Sequence, residues 1–308
     1  MTIAFISHPD CALHEMGAGH PECPQRLAAI EDQLLASRME LALCHLEAPL
    51  ASRDQLCLAH DSDYVDLIFH SAPREGYVRL DSDTLMNPHS LAAARRAAGA
   101  VILGVDTVMV GKTRQAFCSV RPPGHHAERR RAMGFCIFNN VAVGAAHAMC
   151  QHGLQRVAIV DFDVHHGNGT EDIFADDPRV LFCSSFQHPF YPYSGTEADS
   201  AQMIHTPLRA GSGGAAFRQA VEEQWLPRLE AFAPQLIMIS AGFDAHAEDE
   251  MAGLAFGEAD YRWVTQALFK LARRHARGRI VSTLEGGYAL AALGRSVVAH
   301  LDALLGNE

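Results

Sequence analysis

Short apolar runs that alternate with longer amphipathic stretches are the feature that most constrains the fold of this 308-residue chain. Runs that are apolar throughout are typical of strands buried on both faces, and their alternation with helices predicts a central, mostly parallel sheet flanked by helices on both faces. No repeat, low-complexity stretch or linker interrupts the pattern, so we expect one α/β domain over residues 1–308. The predicted strands are residues 2–7, 116–120, 157–162, 180–184, 236–241 and 280–284, and the predicted helices are one that opens at Pro24 and those at residues 90–110, 139–151, 215–231, 258–274 and 290–305.

Composition narrows the class of protein further. Hydrophobic residues make up 48% of the chain, which is ample for a large core. The formal net charge of −11 argues against nonspecific binding to nucleic acid or an anionic membrane, and it is compatible with a cationic substrate. No apolar run approaches the roughly 20 residues of a membrane span, and residues 1–10 do not resemble a secretory signal. The eight cysteines include no C-x-x-C pair, so we expect reduced thiols and a cytoplasmic protein.

Polar clusters follow four of the predicted strands, directly after each strand ends. Parallel strands place their carboxyl ends at one edge of a sheet, and open α/β sheets bind ligands at that edge. One such cluster would be weak evidence, but four at equivalent positions predict one shared pocket. The clusters are RPPGHH at residues 121–126, DVHHGNG at 163–169, FDAH at 243–246 and EGGY at 285–288.

The densest group, residues 161–167, carries two carboxylates and two imidazoles directly after an apolar run. Desolvating these groups is unfavourable unless a metal ion or a proton-transfer network pairs them. Asp163 and His165 point to the same side of an extended segment, and Asp244, at another strand end, is the best candidate for a third ligand. This donor set predicts a catalytic metal site that leaves room for water. Zinc fits it, and ferrous iron fits nearly as well.

Side chains suited to proton transfer accompany the predicted metal site. His125 and His126 are candidates for the base and acid that metal-assisted hydrolysis requires. Asp161 and Asn168 are candidate partners that fix the tautomers of these imidazoles. Tyr288, which follows two glycines at a strand end, can aim its hydroxyl into the pocket and stabilise an oxyanion there.

Aromatic residues near the clusters suit the walls of a narrow apolar channel. Phe135 is the candidate for one wall, and Phe190 or Tyr191 is the candidate for the other. Packing in the core is the alternative role for these side chains.

In chain order, the motifs of this sequence resemble those of the histone deacetylase superfamily, which includes acetoin-utilisation proteins and acetylpolyamine amidohydrolases. The resemblance covers nearly the whole chain, and a set of motifs in this order is highly specific. GFCIFNN and LEGGY are closest in pattern to the class II branch and its bacterial relatives. The motifs are GHPE and PQRL within residues 19–27, followed by RPPGHH, GFCIFNN, DFDVHHGNGT, SAGFDAH and LEGGY.

The resemblance implies the arginase/deacetylase α/β fold and zinc-dependent hydrolysis of amides. Asn168 stands where many relatives carry aspartate, so we expect His126 to be less basic and to serve as both base and acid. The residues that match the family's zinc ligands are Asp163, His165 and Asp244, and those that match its catalytic set are the tandem His125 and His126, Asp161 behind His125, Asn168 behind His126, and the catalytic Tyr288.

The resemblance also implies a substrate channel and a second ion. Phe135, after Gly134, matches one wall of the channel, and we favour Tyr191 over Phe190 for the other. The acidic residue at the rim falls within residues 81–83, and we assign it to Asp83. The structural potassium ion of the family is implied near Asp161, Asp163, His165, Ser184 and Ser185.

The roles expected for these residues together describe the hydrolysis of an acylated amine. The metal and Tyr288 bind the acyl oxygen of the substrate, His126 takes a proton from a metal-activated water that attacks the carbonyl, and a histidine protonates the departing amine. The predicted function is removal of acetyl or other short acyl groups from amines such as acetyl-lysine side chains. The alternatives are an acetylpolyamine amidohydrolase, a ureohydrolase with two manganese ions, and a non-catalytic protein that binds acyl-lysine.

Identity of the substrate is less constrained by the sequence. Acetyl-lysine in proteins or peptides, acetylpolyamines and small acylated metabolites all present a flat acylamide on an extended stem. Glu248, Asp249 and Glu250 follow Asp244 closely and are candidates for an acidic gate that selects polyamines, with a solvated loop as the alternative. Because the chain has no long insertion, we expect an open mouth and broad deacylase activity. The family often forms homo-oligomers.

Overall fold

A parallel sheet of eight strands forms the centre of the fold in the computed structural model, which describes residues 2–196 and 200–307. The strands are β1 (Ile3–Ser7), β2 (Leu43–Glu47), β3 (Val78–Arg79), β4 (Leu85–Met86), β5 (Gln115–Cys118), β6 (Val157–Asp161), β7 (Val180–Gln187), β8 (Met203–Leu208), β9 (Leu236–Ala241) and β10 (Ile280–Leu284). The helices are α1 (Gln25–Ala36), α2 (Arg53–Leu56), α3 (Ser62–Ser71), α4 (Ser90–Val110), α5 (Asn140–His152), α6 (Asn168–Phe174), α7 (Gly214–Ala220), α8 (Leu226–Phe232), α9 (Glu258–His275) and α10 (Leu290–Leu304), with 3-10 turns at Pro9–Leu13 and Met39–Ala42 and a π-helical turn at Val221–Trp225.

The order of the strands explains how the polar clusters meet. The sheet runs β2-β1-β5-β10-β9-β6-β7-β8, and every neighbouring pair in it is parallel. The four strands that precede the polar clusters, β5, β10, β9 and β6, are therefore consecutive neighbours. Their carboxyl ends share one edge of the sheet, and this adjacency confirms the predicted α/β class and concentrates the chemistry in one place.

Helices cover the sheet in two groups. α4 packs against α5 and contacts β1, β5 and β10, while α10 packs against both α1 and α9. Every residue of β6, β9 and β10 is buried, because both faces of a parallel sheet are covered in this architecture. None of the helices in the described part of the chain is long and apolar enough to cross a membrane.

Strands at the two edges of the sheet were not predicted. No residue of β2 is buried, and β8 contains His205 and Pro207, so neither strand is an uninterrupted apolar run. An edge strand has one unpaired side and tolerates such residues. The helix predicted at residues 215–231 is instead interrupted by the π-helical turn, which ends two residues before Pro227. Proline has no N–H to donate, and a π turn accommodates the lost hydrogen bond.

A buried ionic network ties the N-terminal segment to two loops at the active edge of the sheet. The carboxylate of Glu22 accepts hydrogen bonds from Arg26 Nη1 at 3.0 Å and from Arg121 Nη2 at 2.6 Å. Arg26 Nε donates to the carbonyl of Gly287 at 2.7 Å. All three charged side chains are fully buried. Burial alone would raise the pKa of Glu22, but the charges of Arg121 and Arg26 outweigh it and lower the pKa to about 2.

Glu22→Gln should therefore destabilise the fold strongly. The substitution leaves two buried guanidinium groups without their counter-charge, which costs about 3–5 kcal/mol of unfolding free energy. Because folding lowers the pKa of Glu22 from 4.5 to about 2, its ionic contribution is complete above pH 4.5 and is lost as the pH falls toward 2. Urea unfolding at neutral pH and at pH 3 measures both effects. The exposed Glu31→Gln is the control, and equal stability of the two variants at neutral pH would contradict the role of the network.

Candidate active site

A cavity of about 210 Å³ opens at the carboxyl edge of β5, β10, β9 and β6. Three of the four polar clusters contribute residues that line this cavity. The FDAH cluster contributes Asp244, which is buried beneath the cavity. The predicted residues that line the cavity are His125, His126, Gly134, Phe135, His165, Tyr191, Tyr288 and Asp83, and Phe190 lines it as well.

The three predicted metal ligands lie together. Asp163 Oδ1 is 3.0 Å from His165 Nδ1, and His165 Nδ1 is 3.3 Å from Asp244 Oδ2. Ligands of one tetrahedral zinc ion are separated by roughly 3.3 Å. Asp244 Oδ2 is buried and makes no hydrogen bond of normal geometry within the described residues, so a cation is the partner that it lacks. The donors thus fit a divalent ion of the zinc or ferrous type.

Two glycines make room for these carboxylates. A Cβ atom at Gly242 would overlap the carboxylate of Asp163, and a Cβ atom at Gly286 would overlap that of Asp244. The N–H of Gly286 instead donates to Asp163 Oδ2 at 2.8 Å. The glycines in the SAGFD and EGGY motifs are therefore required by the close approach of the backbone to the candidate metal ligands.

Electrostatics in the cluster also favour a cation. Burial, and then the neighbouring charge of Asp163, raise the pKa of Asp244 to about 6. Two carboxylates that are buried side by side cannot both be anionic without a compensating positive charge. A metal ion supplies that charge, so the same repulsion that raises the pKa of Asp244 disposes the pair to bind an ion.

Two other groups of three histidine and carboxylate side chains lie close enough together to hold a metal ion within the described part of the chain. The imidazoles of His147 and His152 lie 2.8 and 2.7 Å from the same oxygen of Asp106, which are hydrogen-bond distances. Glu171 receives hydrogen bonds from His166 and His205 at 2.6 and 3.0 Å. In both groups the carboxylate is hydrogen-bonded to two imidazoles, whereas Asp244 Oδ2 in the candidate metal centre has no hydrogen-bond partner among the described residues.

The tandem histidines have different partners and different charges. His125 Nδ1 is 2.8 Å from Asp161 Oδ2, and His126 Nδ1 is 2.7 Å from Asn168 Oδ1. Burial acts to lower the pKa of His125, but the charges of Asp161 and Asp163 outweigh it and raise the pKa well above 6.5. Burial, followed by the charge of His125, lowers the pKa of His126 well below 6.5. One ring is held as a cation and its neighbour is held neutral.

Tyr288 faces the cavity from the loop that follows β10. Its ring lies edge-on to Phe135 at a centroid distance of 6.2 Å, and the guanidinium of Arg26 lies 5.0 Å from its centroid. Asp249 Oδ2 accepts the backbone N–H groups of Tyr288 at 2.6 Å and Ala289 at 3.0 Å. Burial, and then the charge of Asp244, raise the pKa of Tyr288 well above 10, so its hydroxyl remains a hydrogen-bond donor.

Aromatic rings wall the cavity on two sides. Phe190 stacks on His165 at 5.4 Å, and Tyr191 meets His126 edge-on at 5.2 Å. The sequence favoured Tyr191 alone, but both residues line the space opposite Phe135. At the rim, Asp83 Oδ1 accepts the N–H of Gly134 at 3.1 Å.

An acidic gate does not form at residues 248–250. Glu248 pairs with Arg295 at 2.6 Å, Asp249 is occupied by backbone N–H groups, and Glu250 is exposed. The residue of this loop that lines the cavity is Met251. The turn after Asp244 directs the acidic side chains away from the cavity, which spacing along the sequence did not reveal.

The residues proposed for a second ion are neighbours in the sheet. Asp161 and Ser184 lie opposite each other in the register of β6 and β7, and both are fully buried, while Ser185 is the next residue along β7. Ser184 Oγ lies 3.0 Å from His166 Nδ1. The backbone N–H of Asp163 donates to Asp161 Oδ1 at 3.1 Å.

Two carboxylates that support the tandem histidines were missed in the sequence. Glu285 Oε2 accepts the N–H of Gly124 at 2.6 Å and of His125 at 3.1 Å, and burial raises the pKa of Glu285 to about 7. Glu128 Oε1 accepts the amide of Asn168 at 2.8 Å. Glu285 belongs to the EGGY motif and could have been recognised as a buried acid at a strand end. Glu128 lies among arginines and carries no such signal.

Comparisons with known proteins agree with this geometry. A family model described as the histone deacetylase domain matches residues 20–304. A histone deacetylase-like amidohydrolase of Pseudomonas aeruginosa is 38% identical over 88% of this chain and 73% of its own length. The human polyamine deacetylase HDAC10 is 36% identical over the whole chain, which spans 48% of that protein. The crystal structure of the HDA15 HD domain superposes with a TM-score of 0.92 at 34% identity, covering 99% of this chain and 88% of the other.

Asp244→Asn should abolish stoichiometric binding of a divalent metal. An amide cannot replace the charge of a carboxylate that lacks another partner, so we expect the metal content to fall from about one ion per chain to below about 0.1. Elemental analysis after equilibration with zinc and gel filtration measures it. Asp106→Asn, in the hydrogen-bonded cluster on α4 and α5, is the matched control and should retain the ion. Full metal content in Asp244→Asn would remove this residue from the ligand set.

Proposed function

The chain belongs to the histone deacetylase family, and we propose that the cavity at the edge of its sheet performs the family's reaction with the side chains described above. The enzyme is a deacetylase, which hydrolyses the amide bond between a short acyl group and an amine. The observation that carries the assignment of roles is the pairing of an open three-donor cluster with two differently charged histidines and a tyrosine around one cavity.

Asp163, His165 and Asp244 would hold the metal ion, which we propose to be zinc, with ferrous iron as the other ion that suits the same donors. When bound, this ion lowers the pKa of water and polarises the acyl carbonyl. The proposal includes a structural potassium ion near Asp161 and Ser184, which are adjacent and buried.

His126 is the proposed base. Its Nδ1 is engaged by Asn168, so in the neutral ring Nε2 holds the lone pair that accepts the proton of the attacking water. His125, held as a cation by Asp161, stabilises the negative charge that develops next to it. The proton that His126 receives is then available to the departing amine.

Tyr288 is the proposed donor to the acyl oxygen. Its hydroxyl stays protonated and faces the cavity, so it can donate a hydrogen bond that strengthens as the oxygen becomes negative. Arg26 and Asp249 hold the loop that carries it, through the carbonyl of Gly287 and the N–H of Tyr288.

The substrate is proposed to be an acetyl-lysine side chain of a peptide or protein. Phe135 on one side and Phe190 with Tyr191 on the other suit an uncharged aliphatic stem. The hydrogen bonds that Asp83 makes with Gly134 and Thr84 both use Oδ1, which leaves Oδ2 to accept a substrate N–H at the rim.

A polyamine substrate is the second candidate, and the name of the human relative is what favours it. The absence of an acidic gate in the described loop favours acetyl-lysine instead, because Glu248 and Asp249 are already paired. A two-manganese centre is less compatible, because Asp161, a further buried carboxylate near the three donors, is occupied by His125.

Tyr288→Phe should lower kcat by roughly 100- to 1000-fold on an acetyl-lysine reporter, because one donor to the developing oxyanion is lost. The KM should change little, since the ring and its packing remain. Steady-state kinetics of the purified protein measures both constants, and the exposed Tyr193→Phe is the control. Unchanged turnover in Tyr288→Phe would rule out the proposed role.

The enzyme should prefer an acetyl-lysine peptide to acetylputrescine and acetylspermidine. A second amine on the polyamines gains no carboxylate partner at residues 248–250, so we expect kcat/KM to be at least about tenfold lower for them, equivalent to 1.4 kcal/mol. Release of acetate from the three substrates at equal concentration measures the preference. Equal or faster turnover of the polyamines would favour the second candidate.

A further inference from the structure

We propose that Glu128 is a positioning residue that selects the reactive tautomer of His126 through the side-chain amide of Asn168. The inference rests on the proposed function of His126 as the base. It concerns three side chains in series, with Asn168 between His126 and Glu128, and it assigns a role to Glu128, which does not line the cavity.

The three side chains are joined by two short hydrogen bonds. His126 Nδ1 lies 2.7 Å from Asn168 Oδ1, and Asn168 Nδ2 donates to Glu128 Oε1 at 2.8 Å. His126 is buried, Asn168 is 8% exposed, and the Glu128 side chain is 24% exposed. Arg131 Nη2 donates to the same Oε1 at 2.8 Å, which helps to hold the carboxylate toward the amide.

An asparagine beside a histidine does not by itself determine the tautomer of the ring. Its amide can turn by 180° and present either a carbonyl oxygen, which accepts, or an NH₂ group, which donates. With the oxygen toward His126, Nδ1 carries the hydrogen and Nε2 has the lone pair. With the NH₂ group toward His126, Nδ1 must accept, the hydrogen moves to Nε2, and the ring cannot take a proton there.

Glu128 removes this ambiguity. A carboxylate has no hydrogen to donate, so it accepts only from the NH₂ end of Asn168 and thereby turns the carbonyl toward His126. The neighbouring Met133 Sδ, 3.3 Å from Asn168 Nδ2, is also an acceptor and reinforces the same orientation. Glu128 acts on the base only through the amide, and its charge never contacts the imidazole.

The decisive test exchanges the acceptor for a donor. Glu128→Lys presents only N–H groups, which should turn the amide of Asn168 and place the hydrogen on Nε2 of His126. We expect kcat to fall by roughly 100-fold or more, the range in which a general base contributes. In the double variant Glu128→Lys/Asn168→Asp, residue 168 accepts from both sides, so Nδ1 of His126 is again protonated and turnover should recover at least about tenfold over Glu128→Lys.

Further variants separate orientation from structure. Glu128→Gln keeps an acceptor oxygen and should retain most of the turnover that Glu128→Lys loses. Glu222→Lys, an equal charge reversal at an exposed position on the π-helical turn, controls for net charge. Melting temperatures report whether any variant fails to fold. A loss in Glu128→Lys that the added Asn168→Asp substitution does not restore would overturn the proposal, as would an unaffected Glu128→Lys.

Nitrogen-15 spectra of histidine-labelled, zinc-loaded protein read the tautomer without reference to turnover, with the His126 signals assigned from a His126→Gln spectrum. We expect Nδ1–H in the wild type and in Glu128→Gln, and Nε2–H in Glu128→Lys. An Nδ1–H ring in Glu128→Lys would overturn the inference. Full activity of His126→Gln would instead overturn the base role and leave the tautomer result standing, so the two failures are distinguishable.

Discussion

Repulsion between buried carboxylates is the constraint on which this site depends. Asp163 and Asp244 approach the same imidazole from two different strand ends, and each is almost completely buried. An arrangement of this kind is unfavourable in a bare protein and becomes favourable when a divalent cation joins the donors. Gly242 and Gly286 are part of the same arrangement, because the Cβ atom of any larger residue would push the carboxylates apart. The candidate metal site thus depends on the backbone as much as on the proposed ligands.

The two tandem histidines beside these carboxylates also differ in charge. Next to two carboxylates, a pair of identical histidines would compete for the same protons, and no division of labour would result. The chain gives His125 an anionic partner, Asp161, and gives His126 a neutral one, Asn168. In the proposed site the cationic form of His125 is therefore favoured, and His126 is the ring that can exchange a proton. A base and an electrostatic stabiliser can then coexist with their ring centroids 4.0 Å apart.

Much of this was predictable from the sequence, because it resides in local patterns. The buried strands are uninterrupted apolar runs, and the ends of residues 236–241 and 280–284 agree with β9 and β10 to the residue. The clusters of donor side chains that follow those strands are local patterns too, so one shared pocket could be predicted from them. The order of strands was not predictable, since it depends on crossover connections and not on any local segment. Edge strands such as β2 were missed because one side of them meets water.

The residues that sequence reasoning missed share a physical property: they act on the site through one intervening group. Arg26 holds the Tyr288 loop by a backbone carbonyl, Glu285 holds the histidine loop by two N–H groups, and Glu128 reaches His126 by way of Asn168. Such roles require no particular spacing along the chain, only that folding bring two loops together.

The buried charges of the assembled site also come close to balance. Asp161, Asp163 and Asp244 supply three negative charges, and the cationic His125 with a divalent ion would supply three positive ones. Glu285 is a further buried acid beside this set, and burial raises its pKa to about 7, so near neutral pH it is poised between its neutral and charged forms. The oxyanion of the reaction adds one further negative charge to this balanced set. In the proposed site, an oriented dipole such as the Tyr288 hydroxyl stabilises this oxyanion alongside the cationic His125, and it does so without adding charge to the resting enzyme.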